Sequence, residues 1–475
     1  MTTTTAATVH LGRLERRGLI LGLSAAQTAA VTVAVLIAVF ALYTGGALAV
    51  VLTAPAWATL SVAALVRVGE RPIMFWFPVV GQWHARRSLG QTRYLTTLTD
   101  QHPAELALPG ISGRLRVLAG PTTNAALLLD RKTATVTAML QVSGTGFVLA
   151  DEPTQQLRVV GWGRLLAGLC QQPDVVRLQV LQRSLPGSSA GVRRWWADYA
   201  LASAPWATRV LADLVADSRD SSDRHECFLA VAVRSSRSSK RGLTPAALTV
   251  VEQRLLAIQD AARAADLQVH GWVTPGTLPA VLRGAYDPQG AKHGDLTEQS
   301  TPKGWVGPMG VQEQWAYIRT DSAHHAVFWV QAWPRSEVHA GFLQPLLLAR
   351  GARRAFSLTA EPLPPAKALR DIRRVKAEYL ADAAQRNRIG QLEDESVRAE
   401  AVDLARREQE LVAGHGDLTF VGLLTVSAPT AEELDAACSA TESAAAQAMC
   451  ELRRLVGQQG QAFTAAALPL ARSVS

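Results

Sequence analysis

Residues 187–191 read Gly-Ser-Ser-Ala-Gly and match the G-x-S-x-G pattern of a serine nucleophile elbow. The pattern places Ser189 between a predicted strand and a predicted helix, where a hydrolase nucleophile stands. Pro186 precedes the match, and no HGGG-type segment that would build an oxyanion hole comes before it. A loop of small residues that caps the next helix explains the pattern better, and a hydrolase that uses Ser189 stays as the enzymatic alternative.

Histidine and acidic residues offer two groupings that could ligate a metal. These are His324 and His325 together with His339, and the pair His225 and Glu226. None has the i, i+4 helical spacing that holds two imidazoles on one ion, and adjacent residues of a strand point to opposite faces. We therefore expect no metal site.

The chain has four cysteines, and none of them forms a C-x-x-C pair or has zinc-finger spacing with histidines. We expect buried, reduced thiols in a cytosolic domain. The cysteines are Cys170, Cys227, Cys438 and Cys450.

The lysines exclude a nucleotide-binding P-loop. That loop requires glycine, lysine and then Ser or Thr, because backbone N–H groups hold the phosphates while the lysine neutralises them. None of the six lysines follows a glycine. The sequence therefore predicts no ATPase activity and no cofactor. The lysines are Lys132, Lys240, Lys292, Lys303, Lys367 and Lys376.

A basic segment lies between a predicted strand and a predicted helix, and its charges are Arg234, Arg237, Lys240 and Arg241. Such a loop could contact nucleic acid, anionic lipid or an acidic partner, or could be a solvated loop. It has no interleaved aromatic residues, so nucleic acid is possible as a partner but not indicated.

The elements that would position these groups begin with an apolar stretch, residues 18–66, which contains no Asp, Glu, Lys or Arg. A bilayer core about 30 Å thick requires roughly 20 apolar helical residues, so the stretch is long enough for two crossings. We predict helices over 19–42 and 47–66, joined by a glycine turn at 43–46. Pro55 predicts a kink in the second helix.

Arginines surround this transmembrane hairpin on both sides. They are Arg13, Arg16 and Arg17 before it and Arg67, Arg71, Arg86 and Arg87 after it. Because positive residues stay on the cytoplasmic side, we predict two spans in the cell (inner or plasma) membrane with both termini cytoplasmic. The alternatives are a secretory signal peptide and a helical hairpin buried in a soluble core.

The rest of the chain is mixed. The whole chain has 48% hydrophobic and 19% charged residues, and much of its formal charge of +8 lies in residues 1–100, which hold eight arginines against three acids. That distribution fits an anchor beside anionic lipid.

We predict six segments along the chain: a basic lead-in (1–17), the hairpin (18–66), a juxtamembrane connector (67–103), a first α/β subdomain (104–274), a loop or boundary (275–322), and a second α/β subdomain (323–475) with a charged helical hairpin. The fold class is a transmembrane α-hairpin with a cytoplasmic mixed α/β (α+β) body of ferredoxin-like strand-helix-strand units.

Local patterns support the helices and strands of the body. Alternation predicts strands over 135–142, 175–181, 227–233, 269–273, 324–333, 356–361 and 417–426. Thr244-Pro245 opens a predicted helix, and Thr430 with Glu433 forms a capping box for a helix that runs to Leu455. We also predict helices over 151–169, 190–217 and 341–350, a helical pair over 366–413 broken at Gly390, a loop over 275–304, and a tail, 463–470, that packs against the body.

Several segments resemble the N-terminal, non-motor domain of the VirB-type ATPases of type IV secretion and conjugation systems. They are residues 133–144, 162–183, 226–234, 342–390 and 418–470, the last ending Ala-Ala-Leu-Pro-Leu. In that family a similar segment is followed by the P-loop motor, which is absent here. The hairpin is similar to the small two-helix membrane subunit that partners such ATPases. The whole arrangement of hairpin and body is similar to an actinobacterial family of integral membrane proteins encoded with conjugation-type ATPases.

The resemblance implies an inner-membrane scaffold of a type IV secretion-like, conjugative apparatus. It also implies that the chain contacts the lipid bilayer, docks a separate secretion or conjugation ATPase and forms a homo-oligomer. A membrane component of another export machine, such as type VII secretion, and a membrane-tethered serine hydrolase are the alternatives.

Overall fold

The computed structural model of the chain describes residues 8–9, 24–68, 71–96, 105–111, 113–187, 190–200, 205–217, 223–235, 238–239, 242–290, 307–334, 336–348, 353–389 and 395–474. It divides into two compact units. One is Gly12–Thr92, which carries the apolar stretch, and the other is Met1–Leu11 with Arg93–Ser475, which we call the body.

The strands lie mostly in the body. They are β1 (Thr8–Val9), β2 (Arg67–Val68), β3 (Arg71–Pro72), β4 (Arg93–Leu95), β5 (Glu105–Leu106), β6 (Leu115–Ala119), β7 (Ala126–Asp130), β8 (Thr135–Ser143), β9 (Val175–Pro186), β10 (Asp223–Arg234), β11 (Ser238–Ser239), β12 (Gly242–Leu243), β13 (Gln268–Trp272), β14 (Gly310–Glu313), β15 (Ile318–Arg319), β16 (His324–Ala332), β17 (Val338–His339), β18 (Arg353–Leu363), β19 (Asp417–Ala428) and β20 (Glu451–Arg454).

The α-helices begin with one long apolar helix. They are α1 (Ala25–Leu65), α2 (Trp76–Ser88), α3 (Glu152–Cys170), α4 (Ala190–Tyr199), α5 (Pro205–Asp217), α6 (Pro245–Ala264), α7 (Leu278–Tyr286), α8 (Gln344–Leu347), α9 (Pro365–Ile389), α10 (Glu395–Val412), α11 (Ala431–Gln447) and α12 (Gln459–Ala467). Two short 3-10 helices, Ile73–Phe75 and Phe147–Leu149, precede α2 and α3.

One large antiparallel sheet dominates the body. Within the described residues it has 14 strands in the order β4-β14-β15-β16-β19-β18-β9-β10-β8-β7-β6-β5, with β13 paired to β8 and β20 to β16. The strands of the two predicted subdomains occupy separate halves of this sheet. The halves meet where β18 pairs antiparallel with β9, so hydrogen bonds join them.

The two halves repeat one connectivity. The first half contains, in chain order, β8, α3, β9, β10, α6 and β13. Across the sheet its strands are ordered β13-β8-β10-β9. The second half contains, in chain order, β16, α8, β18, β19, α11 and β20. Across the sheet its strands are ordered β20-β16-β19-β18. Each half also carries a helical pair between its second and third strand, α4 with α5 and α9 with α10.

The sheet separates two apolar layers. Leu229 and Phe228 are adjacent in β10 and therefore face opposite sides, and they belong to different clusters. Leu229 packs with residues of α3 and α6, and the matching cluster in the second half includes α11. The other face is covered by α7, α12 and the chain that follows α12, and this cluster spans both halves of the sheet.

Many predicted elements are confirmed. Thr244 caps α6, accepting a hydrogen bond from the Ala247 N–H at 3.3 Å, and Thr430 caps α11, accepting from the Glu433 N–H at 3.2 Å. The strands occur as predicted, with β9, β10 and β18 extended. The tail is buried, with Phe463 and Leu468 inside the core, as expected.

Four predictions differ from the structure. The loop over 275–304 contains α7, which buries Leu278, Leu282 and Tyr286 against the sheet. The helix predicted to reach Leu455 ends at Gln447, because the following residues pair with β16 as β20. The helix predicted over 190–217 is two helices, and that over 341–350 is only Gln344–Leu347.

Candidate functional site

The surface of α1 is apolar and exposed. The helix contains an 18-residue stretch with a mean hydropathy of 2.4, and it is long and apolar enough to cross a membrane. Tyr43 is 90% exposed and Leu48 75%, and Phe40 and Leu52 are also on the surface. In water such a surface would be costly, at about 25 cal/mol for each Å² of apolar area.

The path of α1 reverses within the helix. Gly46 has φ 62° and ψ −156°, a conformation that glycine adopts without steric cost and that interrupts the helix. The Gln27 side-chain Nε2 donates to the Ala64 carbonyl at 2.7 Å. Residues that far apart in a straight helix would be separated by about 55 Å. The segments on either side of Gly46 therefore lie next to each other.

Small side chains line the inner side of this reversal. The buried residues of α1 are Gln27, Ala34, Ala41 and Ala64, and the first three recur at seven-residue spacing on one helix face. Small residues let two helix backbones approach closely, which is the usual packing of helices in lipid.

Four of the predicted membrane-flanking arginines lie close after α1 in the chain. Arg67 is exposed on β2, and Arg71 is half-buried on β3, the strand that pairs with it. Arg86 and Arg87 occupy the last turn of α2, where positive charge is favourable. The other three lie outside the described residues; they are Arg13, Arg16 and Arg17.

Aromatic residues accompany these arginines. Phe77 on α2 is exposed, and the Trp76 indole Nε1 donates to the Val68 carbonyl at 3.0 Å. The Arg87 guanidinium lies 5.1 Å from the Trp83 ring centre, within cation–π range. Aromatic and basic residues together are typical of the headgroup zone of a bilayer.

Most of the serine and basic-loop residues predicted as sites lie outside the described residues. Ser189 lies outside the described residues, between the end of β9 at Pro186 and the start of α4 at Ala190. Of the basic loop, Arg234 is exposed at the end of β10, while Arg237, Lys240 and Arg241 lie outside the described residues.

The histidine groupings have structural partners. Glu226 pairs with Arg183 at 2.8 Å and with Arg224, and these guanidinium groups outweigh burial and lower the pKa of Glu226. His324 Nδ1 contacts the Pro429 carbonyl at 3.0 Å. Among the residues that the structure describes, no group of three or more His, Cys, Asp or Glu side chains is placed to hold a metal.

His325 is buried in a polar chain. Its Nε2 lies 2.8 Å from the Thr320 hydroxyl, which donates to the Tyr286 carbonyl at 2.6 Å, and its Nδ1 lies 2.7 Å from the Ser427 hydroxyl. These three hydrogen bonds can all form when the imidazole is neutral and carries its proton on Nε2: Nε2–H donates to Thr320, and the Ser427 hydroxyl donates to Nδ1. Burial, with a contribution from His324, lowers the pKa of His325 to about 3.

Acidification should therefore destabilise the body through His325. The folded state excludes a proton that the unfolded chain binds below about pH 6.5, so stability falls from there towards pH 3. Between pH 7 and pH 5 the expected loss in the free energy of unfolding is about 2 kcal/mol. Urea titrations of wild type, His325→Gln and the control His324→Gln measure it. Only His325→Gln should flatten the pH dependence; an unchanged slope in that variant contradicts the assignment.

The cysteines are not reactive sites. Cys170, Cys438 and Cys450 are buried, Cys227 is half-buried, and all four are free thiols. Burial raises the pKa of all four, to about 11 for Cys227, Cys438 and Cys450. A thiol with such a pKa is almost entirely protonated at neutral pH and reacts slowly.

Two features of the structure had no clear counterpart in the sequence patterns. One is the exposed apolar surface of α4 and α5, whose tryptophans suggested only a helix. The other is Gln179, which is fully buried on β9 and binds the chain around α12. A glutamine in an alternating apolar strand is the single signal that could have drawn attention to it.

Comparison with known proteins adds no assignment. No protein-family model matches the chain, and no curated protein matches it.

Proposed function

We propose that this chain is an inner-membrane structural component of a type IV secretion-like, conjugative apparatus. In this proposal it anchors a cytoplasmic assembly and docks a separate P-loop ATPase. The observation that carries the proposal is α1, an exposed apolar helix that reverses at Gly46.

The reversal supports two membrane spans. The parts of α1 before and after Gly46 each have about 20 residues, which at about 1.5 Å per residue matches a hydrocarbon core of about 30 Å. The hydrogen bond from Gln27 to Ala64 brings the two outer ends together. Both ends of α1 would then lie on one side of the bilayer.

The arginines support the orientation. Arg67 and Arg71 follow the second arm directly, and Arg86 and Arg87 end α2, whereas the turn around Gly46 has no charged residue. Positive residues beside membrane helices favour the cytoplasmic side. The termini and the body are therefore proposed to be cytoplasmic, with Arg67 and its neighbours against anionic headgroups.

The body supports a docking role. Its two halves each have the β-α-β-β-α-β order with the fourth strand beside the first, and this order supports our proposal that each half is a ferredoxin-like unit. The strand-helix-strand units predicted from the sequence patterns have the same order, and we propose that they correspond to the non-motor domain of VirB-type ATPases. With no glycine-lysine pair in the chain, ATP hydrolysis is assigned to the partner and not to this protein.

Affinity purification of the full chain from host membranes tests the proposal. The tagged protein is solubilised in mild detergent, and mass spectrometry identifies what co-purifies. We expect a P-loop ATPase of the conjugation type to be enriched at least about tenfold over an untagged control.

The matched bait is residues 1–92 with the same tag, which keeps α1 and lacks the part of the body from Arg93 onward. The ATPase should be absent from that sample, because the proposed docking surface is in the body. Two results would overturn the proposal. One is recovery of a type VII-class ATPase instead, and the other is equal recovery of the conjugation-type ATPase with the 1–92 bait.

A further inference from the structure

The helical pair α4 and α5 leaves its apolar side in solvent. Trp206 is 78% exposed, Tyr199 65% and Trp195 59%. Trp195 and Tyr199 stack at 5.7 Å between ring centres, one helical turn apart. On α5 the exposed apolar residues continue at Val210 and Leu214, which lie on the same side of the helix as Trp206, and at Leu211, which adjoins Leu214 three residues on. We call these six residues the aromatic patch.

The equivalent pair in the other half of the sheet does the opposite. The pair α9 and α10 buries Ala368, Ile372 and Leu411 in a small core of its own. Its outer side carries ion pairs such as Lys376 with Glu408 at 2.8 Å. The described part of this pair therefore has a packed interior of its own, whereas the aromatic patch is exposed.

The size of the aromatic patch matches one side of a stable interface. Three aromatic side chains of about 150–250 Å² each, roughly two-thirds exposed, and three half-exposed aliphatic side chains supply on the order of 600 Å². A standard interface buries about 800 Å² per partner, and apolar patches of this size on monomers are often functional. Two copies of the patch would bury an area typical of a dimer.

The charges of the two helices are complementary to each other. By sequence α4 contains two arginines and one aspartate, and α5 contains one arginine and two aspartates. If α4 of one copy lies against α5 of the other, which a two-fold arrangement allows, a net positive helix meets a net negative one. The pair as a whole is neutral, whereas a helix that binds anionic lipid is usually rich in basic residues.

We propose that the aromatic patch is the surface through which two copies of this chain associate, with α4 and α5 of each forming a four-helix bundle. The inference rests on the proposed function in one respect: anchoring both copies in one membrane raises their effective concentration and favours the pairing. The partner is thus a second copy of the chain.

Light scattering on the full chain in detergent tests the proposal. Wild type should be a dimer at micromolar concentration. Trp206→Asp should weaken association at least about 30-fold, since central aromatic residues contribute most to interfaces, and should give a monomer. Leu211→Asp is a second variant with the same expected result. Leu149→Asp is the matched control, because Leu149 is 93% exposed outside the patch, and it should remain a dimer.

Cysteine cross-linking in native membranes gives an independent measurement. The four native thiols are buried or half-buried, so a bismaleimide should react with an introduced Val210→Cys and yield a homodimer, which Trp206→Asp removes. A monomeric wild type, a Trp206→Asp dimer, or a Val210→Cys link only to a different protein would overturn the proposal. Membrane sedimentation of the same samples separates this failure from failure of the anchor, because Trp206→Asp should still sediment with the membranes.

Discussion

Deletion of residues 1–92 should move the rest of the chain from the membrane pellet to the soluble fraction. The deletion removes α1, the apolar helix, and leaves the body from β4 onward with its sheet and clusters. Because a spanning helix inserts almost irreversibly, its loss should raise the soluble share at least about tenfold. Carbonate-washed membranes and immunoblotting measure the two fractions, and circular dichroism checks that the truncated body is folded.

A folded body that stays in the carbonate-washed pellet would contradict the anchor. The two-span topology has its own measurement. Tyr43→Cys, close to the turn at Gly46, should react with an impermeant maleimide outside intact cells, whereas Leu149→Cys in the body should react only after lysis. The reverse pattern would place the body on the outside and remove the proposed contact with a cytoplasmic ATPase.

Replacement of Gln179 should produce the largest loss of stability in the body. Its Nε2 donates to the Ser357 hydroxyl at 2.8 Å and to the carbonyls of Ala465 and Leu468 at 3.0 Å, and its Oε1 accepts from the Ala471 N–H at 2.7 Å. One side chain thus joins the central strand β9 to α12 and the chain beyond it. Nearby, Arg472 pairs with Asp130.

Gln179→Leu leaves the buried Ala471 N–H without its acceptor, and it removes the amide donor from Ser357, Ala465 and Leu468, which keep only the weaker bonds they make to each other and to the Leu470 N–H. A buried group left unsatisfied costs about 1–3 kcal/mol, and each lost hydrogen bond adds about 1 kcal/mol. We expect the free energy of unfolding to fall by about 3–5 kcal/mol, measured by urea titration of the body. Gln179→Glu keeps the volume but turns the amide donors into acceptors, and it should be at least as destabilising. Gln182→Leu, half-buried on the opposite face of β9, is the control and should cost under about 1 kcal/mol. Tolerance of Gln179→Glu would show that packing, and not hydrogen bonding, holds the tail.

The sequence predicted those features that depend on neighbours along the chain. The charge-free stretch indicated α1, and the glycines at its centre indicated where its backbone reverses. Hydroxyl residues at 244 and 430 marked the starts of α6 and α11 correctly, because a cap is a contact between residues three apart. The stripe Val251, Leu255 and Ile258 is buried as its spacing required.

Predictions failed where pairing with a distant strand outweighed a local pattern. The alanine-rich run after Thr430 favours a continuous helix, yet the chain turns at Met449, with φ 54°, and residues 451–454 join β16. The sheet supplies hydrogen bonds to this segment that compensate for the lost helical turns. Likewise α7 is defined by the apolar surface it covers, in a region whose glycines and prolines suggested only a loop.

The sequence by itself determined that the chain has an apolar, arginine-flanked hairpin-like segment and a mixed body without a P-loop, because composition, periodicity and capping act over a few residues. Only the tertiary structure decided that the two halves share one sheet through β9 and β18, that Gln179 holds the tail, and that the aromatic patch is left uncovered. A strand with alternating side chains can pair with many partners, and its local pattern does not specify which. Exposure of an amphipathic helix likewise depends on what the rest of the chain places against it.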